Sequence, residues 1–176
     1  MSLFLHLTWA LAMLTTAAVS APPDDVVQRE DQFKAAYVFN FVKFVAWPED
    51  TAADPLLVCF VGAERVYGAF TATIDRSRPG MRRLAALQIA DASPAGTCNV
   101  LYIDAATASG YALPHAPNVL TISDADGFAA NGGMIELFTE NHRLRFVINV
   151  GSAQQAGLRI SSDLLKLAVD VRREPR

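Results

Sequence analysis

The stretch "PLLVCFVGAERVYGAFTATI", residues 55–74, decides the fold. Its first part, as far as Gly62, is a continuous apolar run, which is typical of a strand buried on both faces of a sheet. Its second part, from Ala63 onward, carries apolar residues at helical spacing. Because strands that alternate with helices build α/β proteins, this stretch predicts that fold class.

The same alternation continues towards the C-terminus. We predict a strand at "MRRLAALQIA" (residues 81–90) and buried strands at "NVLYID" (99–104) and "NVLTIS" (118–123). Between the last two, we predict a short helix in "AATASGYALPH" (105–115), interrupted by Pro114. Strands with helical connections between them favour a mostly parallel sheet.

The next residues predict a loop and a β-hairpin. The loop is "DADGFAANGG" (124–133), which is rich in turn-forming residues. The hairpin joins "MIELF" (134–138) to "LRFVINV" (144–150), since both runs alternate apolar and polar residues around "TENHR" (139–143). This hairpin is expected to be antiparallel and exposed on one side.

The last predicted element is a closing helix in "ISSDLLKLAVDV" (160–171), with Ser161 or Ser162 at its N-cap and Asp163 in its first turn. The predicted fold is therefore α/β: a three-layer sandwich with a mixed, mostly parallel sheet, a C-terminal β-hairpin and a closing helix.

An aromatic-rich segment, "KAAYVFNFVKFVAWPED" (34–50), precedes the first strand and predicts a helix that Pro48 terminates. Aromatic residues at spacings of three and four share one face, which predicts a stripe that faces the core: Phe33, Tyr37, Phe41, Phe44 and Trp47. Phe39 lies off this stripe, on the far side beside Lys43. Either the helix packs on two sides, or Phe39 and Lys43 belong to a partner-binding surface.

Residues 1–21 have the pattern of a secretory signal peptide, with an apolar run, small residues after it and no charged side chain before Asp24. The run is too short to be a good membrane span, and we expect cleavage between Ala18 and Ala21. The remaining residues, 22–176, have the size of one domain. We therefore expect an exported single-domain protein that is not embedded in the membrane.

Charge and motifs argue against several classes of function. The net charge of -3 argues against sequence-independent nucleic-acid binding. His115 and His142 are far apart in sequence, and "DADGF" (124–128) lacks most ligand positions of a calcium loop, so no metal site is predicted. Neither a nucleophile elbow nor a phosphate loop is present. We therefore expect no cofactor and no catalytic residues, and binding is the default function.

The sequence contains two cysteines, Cys59 and Cys98. In an exported protein, two thiols most simply form one disulfide. Cys59 lies inside one predicted buried strand and Cys98 stands immediately before another. The bond therefore requires these two strands to be close neighbours in the sheet.

Five stretches, by their order and separations, resemble the YfiR-like family of periplasmic proteins. They are "FKAAYVFNFVKFVAWP" (33–48), "VCFVG" (58–62), "CNVLYI" (98–103), "NVLTISDADGFAANGGMIELF" (118–138) and "LRFVINVGSAQQAGLRISSDLLKLA" (144–168). The resemblance covers nearly all of residues 22–176, and it implies an α/β sandwich with the disulfide between Cys59 and Cys98. Some relatives carry a second cysteine pair near the C-terminal strand, which has no counterpart here.

The resemblance also implies a function. The resemblance implies that the protein, like members of this family, is a periplasmic regulator, typically a repressor of an inner-membrane diguanylate cyclase. The sensor domain of such a cyclase projects into the periplasm. The resemblance thus implies a periplasmic, non-enzymatic protein whose partner is that sensor domain and whose output is cyclic-di-GMP, biofilm and exopolysaccharide. Whether the protein forms a homodimer stays open.

Two other functions stay open beside this one. A periplasmic small-molecule sensor or solute-binding protein would use the loops "GAERVYG" (62–68) and "SDADGFAANGG" (123–133), which an α/β sheet brings to one crevice. An enzyme is the third alternative, and the sequence names no residue for its chemistry.

Overall fold

The computed structural model describes residues 24–48, 54–76, 82–93, 95–108 and 116–173. The predicted signal peptide, Pro114 and His115 lie outside the described residues. The helices are α1 (Asp24–Phe41), α2 (Glu64–Asp75), α3 (Ala105–Ala108), α4 (Val150–Gln155) and α5 (Ser162–Leu165). The strands are β1 (Val45–Ala46), β2 (Leu56–Val61), β3 (Leu84–Ile89), β4 (Val100–Ile103), β5 (Leu120–Ser123), β6 (Ile135–Glu140), β7 (Arg143–Asn149), β8 (Arg159–Ile160) and β9 (Asp170–Arg172).

Seven strands form a mixed, mostly parallel sheet in the order β3-β2-β4-β5-β6-β7-β9, which confirms the predicted fold class. Within this sheet, the described strands pair in parallel except for β6 and β7, which form the predicted antiparallel hairpin. Strands β1 and β8 form a separate antiparallel pair. The strands that carry and follow the two cysteines, β2 and β4, are direct neighbours, as predicted.

The sheet is covered on both faces, which gives the three layers. On one face, α1 and α2 pack over a large apolar cluster that includes Val58 and Phe60 of β2. On the other face, a 3-10 turn (Ala95–Thr97) and α3 lie over a smaller cluster that includes Cys59 and Val61. Consecutive residues of β2 thus point to opposite layers, which explains why its sequence is apolar throughout.

The aromatic segment leaves the helical conformation earlier than predicted. Helix α1 ends at Phe41, and the chain continues as a 3-10 turn (Val42–Phe44) and then as β1. The pairing of Val45 and Ala46 with β8 provides a reason, because it requires an extended backbone at these residues; Pro48 further restricts only Trp47. Trp47 is nevertheless buried, and its indole Nε1 donates a hydrogen bond to the carbonyl oxygen of Asn118 at 2.9 Å.

The predicted core stripe is wrong at its first member. Phe33 is 60% exposed, whereas Phe41 is completely buried. The buried face of α1 consists of Ala35, Val38 and Phe41, at spacings of three. Phe33 lies about 140° from Val38 around the helix axis, so it points to solvent. Tyr37, another member of the stripe, is half-buried against the core.

The hairpin turn consists of Asn141 and His142, which both have positive φ angles of 49° and 59°. Two consecutive positive φ angles are typical of the type I′ turn that joins tightly paired strands. The preceding loop is held by Glu136 of β6, whose carboxylate accepts hydrogen bonds from the backbone N–H groups of Gly127 and Ala129 at 3.0 and 2.9 Å.

The closing helix is much shorter than predicted. Ser161 caps α5, as predicted, by accepting a hydrogen bond from the backbone N–H of Leu164. However, the helix ends after one turn at Leu165, and the chain then forms β9 in parallel with β7. The physical reason is the free edge of β7, whose backbone groups need partners that a strand supplies and a helix does not.

None of the helices in the described part of the chain combines the length and the apolar character that a membrane span requires.

Candidate functional site

A polar concave feature of the sheet lies where three parallel strands end side by side. Val61 of β2 pairs with Ile103 of β4, which pairs with Ser123 of β5. The residues that follow these strands therefore meet at one edge. The chain passes from β2 to β3, which is the neighbour of β2 on one side. It then returns to form β4, which is the neighbour of β2 on the other side. In open α/β sheets, ligand sites form at such a point, where the strand order reverses.

A crevice with a volume of about 270 Å³ occupies this edge. It is lined by Gly62 and the start of α2, by Tyr102 and Asp104 of the β4 end, and by Asp124 after β5. Helix α1, which packs on one face of the sheet, contributes Asp31 to the lining of the crevice. We call this feature the switch-point crevice.

Gly62 is required by the close packing of this edge. Its φ angle is +68°, and a Cβ atom there would collide with the side chains of Thr107 and Asp104. Asp104 is itself fixed, because its Oδ1 accepts a hydrogen bond from the backbone N–H of Thr107 at 2.8 Å. The floor of the crevice is thus preorganised.

Helix α1 is tied to the crevice by an ion pair. Lys34 Nζ lies 2.7 Å from Asp124 Oδ2 and 2.9 Å from Glu30 Oε1. The side chains of Lys34 and Asp124 are only 13% and 15% exposed. Weak solvent screening therefore makes this contact stronger than an ordinary surface pair.

Three polar side-chain atoms around the crevice are buried from solvent. They are the Tyr102 hydroxyl, Asp31 Oδ2 and Asp124 Oδ1. Tyr102 is 0% exposed, and its ring packs beside Phe60 at a centroid distance of 5.8 Å. The Tyr102 hydroxyl and the Asp124 carboxylate lie within hydrogen-bonding reach of each other, so these two groups can satisfy one another inside the protein.

Burial shifts the pKa values of titratable groups in and beside the crevice. Burial raises the pKa of the Tyr102 hydroxyl well above its ordinary value, and the nearby carboxylate of Asp124 raises it further. Burial also raises the pKa of Asp31, although Lys34 opposes the shift. Burial lowers the pKa of Lys34, but its hydrogen bonds to Asp124 and Glu30 outweigh that effect and raise it overall. Tyr102 therefore stays protonated and Lys34 stays charged at neutral pH.

The predicted partner-binding residues, Phe39 and Lys43, lie together on the outside of α1 and the turn that follows it. Lys43 Nζ stands 4.4 Å from the centroid of the Phe39 ring and donates a hydrogen bond to Asn40 Oδ1 at 2.8 Å. Phe39 is half-buried and packs against the main core, while Lys43 is exposed. The structure thus brings the two residues into a cation–aromatic contact whose outer edge reaches solvent.

An open apolar groove adjoins this pair, because Asn40 lines it. The groove has a volume of about 480 Å³ and runs between α1, β7 and the α5 turn. Its apolar lining includes Phe44 and Leu167, and Leu167 is 65% exposed.

The disulfide between Cys59 and Cys98 lies on the opposite face of the sheet from α1, with Cα atoms 5.9 Å apart. It joins the middle of β2 to the residues that lead into β4, and both cysteines are buried. The disulfide therefore anchors two of the three strands that carry the switch-point crevice.

The sequence analysis placed the loops 62–68 and 123–133 at one crevice, and the switch-point crevice is lined from these loops by residues 62–66 and by Asp124. Its other polar residues, Asp31, Tyr102 and Asp104, were not singled out, although part of the signal was present. Asp104 and Asp124 directly follow buried strands, which places both at the carboxyl edge of a parallel sheet. Asp31 and Lys34 carry no such signal, because their approach depends on how α1 packs across the sheet. Among the described residues, no group of histidine, cysteine and carboxylate side chains is arranged to hold a metal ion.

Two of the solved structures that resemble this chain illustrate the comparison, and both are distant in sequence. A conserved domain protein from Vibrio cholerae O1 biovar El Tor is 11% identical, with a TM-score of 0.46, over 81% of this chain and 60% of the other. An ABC domain in complex with L-Trp from Streptococcus pneumonia is 12% identical, with a TM-score of 0.48, over 80% of this chain and 60% of the other. The chain thus spans about three fifths of the length of each of these structures. No curated protein matches the chain.

The family comparison is decisive. The model of the YfiR/HmsC-like family matches residues 31–169, a range that runs from the middle of α1 to the residue before β9. YfiR-like proteins are, as a family, periplasmic regulators of diguanylate cyclases rather than enzymes. Since the match covers well over half of the chain, this protein belongs to the YfiR/HmsC-like family.

Proposed function

We propose that this protein is exported to the periplasm and represses an inner-membrane diguanylate cyclase by binding its periplasmic sensor domain, which lowers cyclic-di-GMP. The observation that carries this proposal is the family match over residues 31–169. The described fold is consistent with a protein that acts by binding. It has a rigid disulfide-linked sheet and an exposed helix surface, α1, at one side.

We further propose that Phe39 and Lys43 form part of the surface that binds the cyclase. A cation stacked on an aromatic ring offers an apolar contact and a charge at the same place, and aromatic residues are enriched at protein interfaces. The adjoining apolar groove extends this surface towards Leu167. A sensor domain with an acidic and an apolar patch would be complementary to it.

The test is copurification of the protein with the cyclase from solubilised membranes. We expect Lys43→Glu to weaken this association about tenfold, because it reverses the exposed charge and removes the contact with Phe39. Phe39→Asp is expected to weaken it at least as much. Because Phe39 is half-buried, this change also costs about 1 kcal/mol or more of stability, which thermal unfolding measures separately.

Arg29→Glu is the matched control, because Arg29 is an exposed cation on the same helix, about 15 Å along its axis from Phe39. It should leave association and melting temperature unchanged. Equal copurification of the wild type, Lys43→Glu and Phe39→Asp proteins, all folded, would exclude this surface as the partner-binding site.

A second candidate function is the binding of a small molecule without a cyclase partner. One observation favours it, namely the switch-point crevice, which lies where the strand order of the sheet reverses. A saturable, ligand-dependent rise in melting temperature together with failure to associate with any cyclase would support this alternative over the regulator.

A further inference from the structure

The two edge strands of the main sheet are protected very differently. At one end, β9 is three residues long and carries Asp170 and Arg172, whose charges discourage the addition of a further strand. At the other end, β3 is six residues long, and its sequence "LAALQI" contains no charge, glycine or proline. Among the described residues, no strand pairs with its outer side. Strand β3 therefore lacks the features by which edge strands avoid pairing.

The backbone of β3 presents a regular row of hydrogen-bonding groups on its outer side. The backbone N–H of Leu56 in β2 donates to the carbonyl oxygen of Arg83 at 3.0 Å, and Leu56 is in register with Leu84. The backbone groups of the odd-numbered residues of β3 therefore face β2. Since this direction alternates along a strand, the N–H and C=O groups of Leu84, Ala86 and Gln88 face outward.

An exposed leucine lies at the middle of this edge. Leu87 is 44% exposed and is in register with Cys59, so its side chain lies on the disulfide face of the sheet. On the other face, Leu84 and Ala86 pack against the main apolar cluster near α2. A single exposed leucine is ordinary on a protein surface, but this one stands on an edge strand that is open to pairing.

Strand β3 is complementary to a second copy of itself. When two β3 strands are placed antiparallel around a two-fold axis at Leu87, Ala86 of each copy lies opposite Gln88 of the other. The outward backbone groups of these two residues then form hydrogen-bonded pairs, and Leu87 meets its counterpart in a non-hydrogen-bonded pair, where side chains are closest. Ala85 lies opposite Ile89, so apolar side chains meet along the disulfide face.

The charges at the two ends of β3 fit the same arrangement. Arg83 before the strand and Asp91 after it are both exposed, and the two-fold axis at Leu87 places Arg83 of each copy opposite Asp91 of the other. Arg83 pairs with Asp54 within the chain, but this pair is 71% and 62% exposed, and the guanidinium has further N–H groups to donate. The arrangement thus adds two contacts between opposite charges.

We propose that two copies of this protein associate through their β3 edges, antiparallel around a two-fold axis at Leu87, so that their sheets become continuous. The contact is narrow, so we expect association that is reversible and depends on concentration. The β3 edge and the apolar groove beside β7 lie towards opposite ends of the sheet, so that groove stays accessible in the dimer. The inference goes beyond the proposed regulation, because it concerns the isolated protein and needs no cyclase.

The first test is sedimentation velocity of the oxidised mature protein over a wide range of concentration. We expect the average mass to rise from that of a monomer towards that of a dimer. Leu87→Lys places two like charges opposite each other and should weaken the association about tenfold or more. Gln88→Pro removes an N–H that faces outward in one copy and donates to the partner in the dimer, so it should also prevent association. Thermal unfolding shows that both variants are folded.

The second test traps the dimer at its axis. Leu87→Cys places two thiols in a non-hydrogen-bonded antiparallel pair, where Cα atoms about 4.5 Å apart suit a disulfide. The native cysteines are already bonded to each other. Under mild oxidation we expect this variant to form a covalent dimer at least about tenfold faster than Phe33→Cys, the matched control, because Phe33 is 60% exposed on α1 and remote from the axis.

Three results would overturn the proposal. The first is a wild type that stays monomeric at every concentration. The second is unchanged association of the folded Leu87→Lys and Gln88→Pro proteins, which would mean that copies meet through another surface. The third is a Leu87→Cys protein that forms covalent dimers no faster than Phe33→Cys.

Discussion

Loss of the disulfide between Cys59 and Cys98 is expected to lower the free energy of unfolding by about 4 kcal/mol. The cysteines are 39 residues apart in sequence, so the bond restricts a long loop in the unfolded chain. In the folded protein it links two neighbouring strands, whose pairing is present in any case. Because a domain of this size is stable by only about 5–15 kcal/mol, the loss is a large share of the total.

The measurements are denaturant unfolding, for the free energy, and thermal unfolding, for the melting temperature, of the wild type and of the Cys59→Ala, Cys98→Ala double variant. We expect the melting temperature of the double variant to fall by about 10 °C or more. The wild type treated with a reductant is the control, since it breaks the same bond without creating a cavity. If both cysteines of periplasmic protein react with an alkylating reagent under non-reducing, denaturing conditions, the pairing itself is wrong.

Phe41→Asp is expected to unfold the protein. Phe41 is 1% exposed and packs edge-on against Tyr37 and Phe146, at centroid distances of 5.7 and 5.1 Å. Removing such a ring typically costs about 3–5 kcal/mol, and an unpaired buried carboxylate adds a further penalty. The sum reaches the whole stability of an ordinary domain, so circular dichroism should show loss of the cooperative transition.

Phe33→Asp on the same helix is the control. Phe33 is 60% exposed and belongs to neither apolar cluster, so the same substitution should change the free energy of unfolding by less than about 0.5 kcal/mol. Equal destabilisation by both substitutions would mean that the observed orientation of α1 is wrong.

The pair Phe33 and Phe41 also shows what sequence reasoning can and cannot predict here. Spacing alone predicted that both residues face the core. The buried face of α1 is instead narrower than the predicted stripe and is centred on Val38. The aromatic periodicity could not reveal where α1 meets the sheet, because that depends on α2 and β7 as partners. Strands β2, β4 and β5 were predictable, since a segment buried on both faces must be apolar throughout.

The prediction of a long closing helix at the C-terminus was wrong for a related reason. "ISSDLLKLAVDV" has a good N-cap and helical spacing, and both are realised for one turn after Ser161. The local signal was then outweighed by the unpaired edge of β7, which takes up Asp170–Arg172 as β9. Edge strands of this kind depend on the finished sheet, so a local pattern does not predict them.

The candidate sites also combine features that the sequence predicts with features that it does not. The disulfide followed from the count of two cysteines and the expected export. Asp104 and Asp124 were predictable as residues at the carboxyl ends of parallel strands, but the buried hydroxyl of Tyr102 reads in sequence as one more apolar strand residue. Only the three-dimensional arrangement shows that this hydroxyl is buried beside the carboxylate of Asp124.

The central claim, repression of a diguanylate cyclase, is tested most directly by measuring cyclic-di-GMP in the host after clean deletion of this protein. Complementation with the wild type and with the Lys43→Glu protein provides the controls. We expect deletion to raise cyclic-di-GMP, the wild type to restore the lower level, and the Lys43→Glu protein to restore it only in part. Unchanged or lowered cyclic-di-GMP after deletion would contradict the claim.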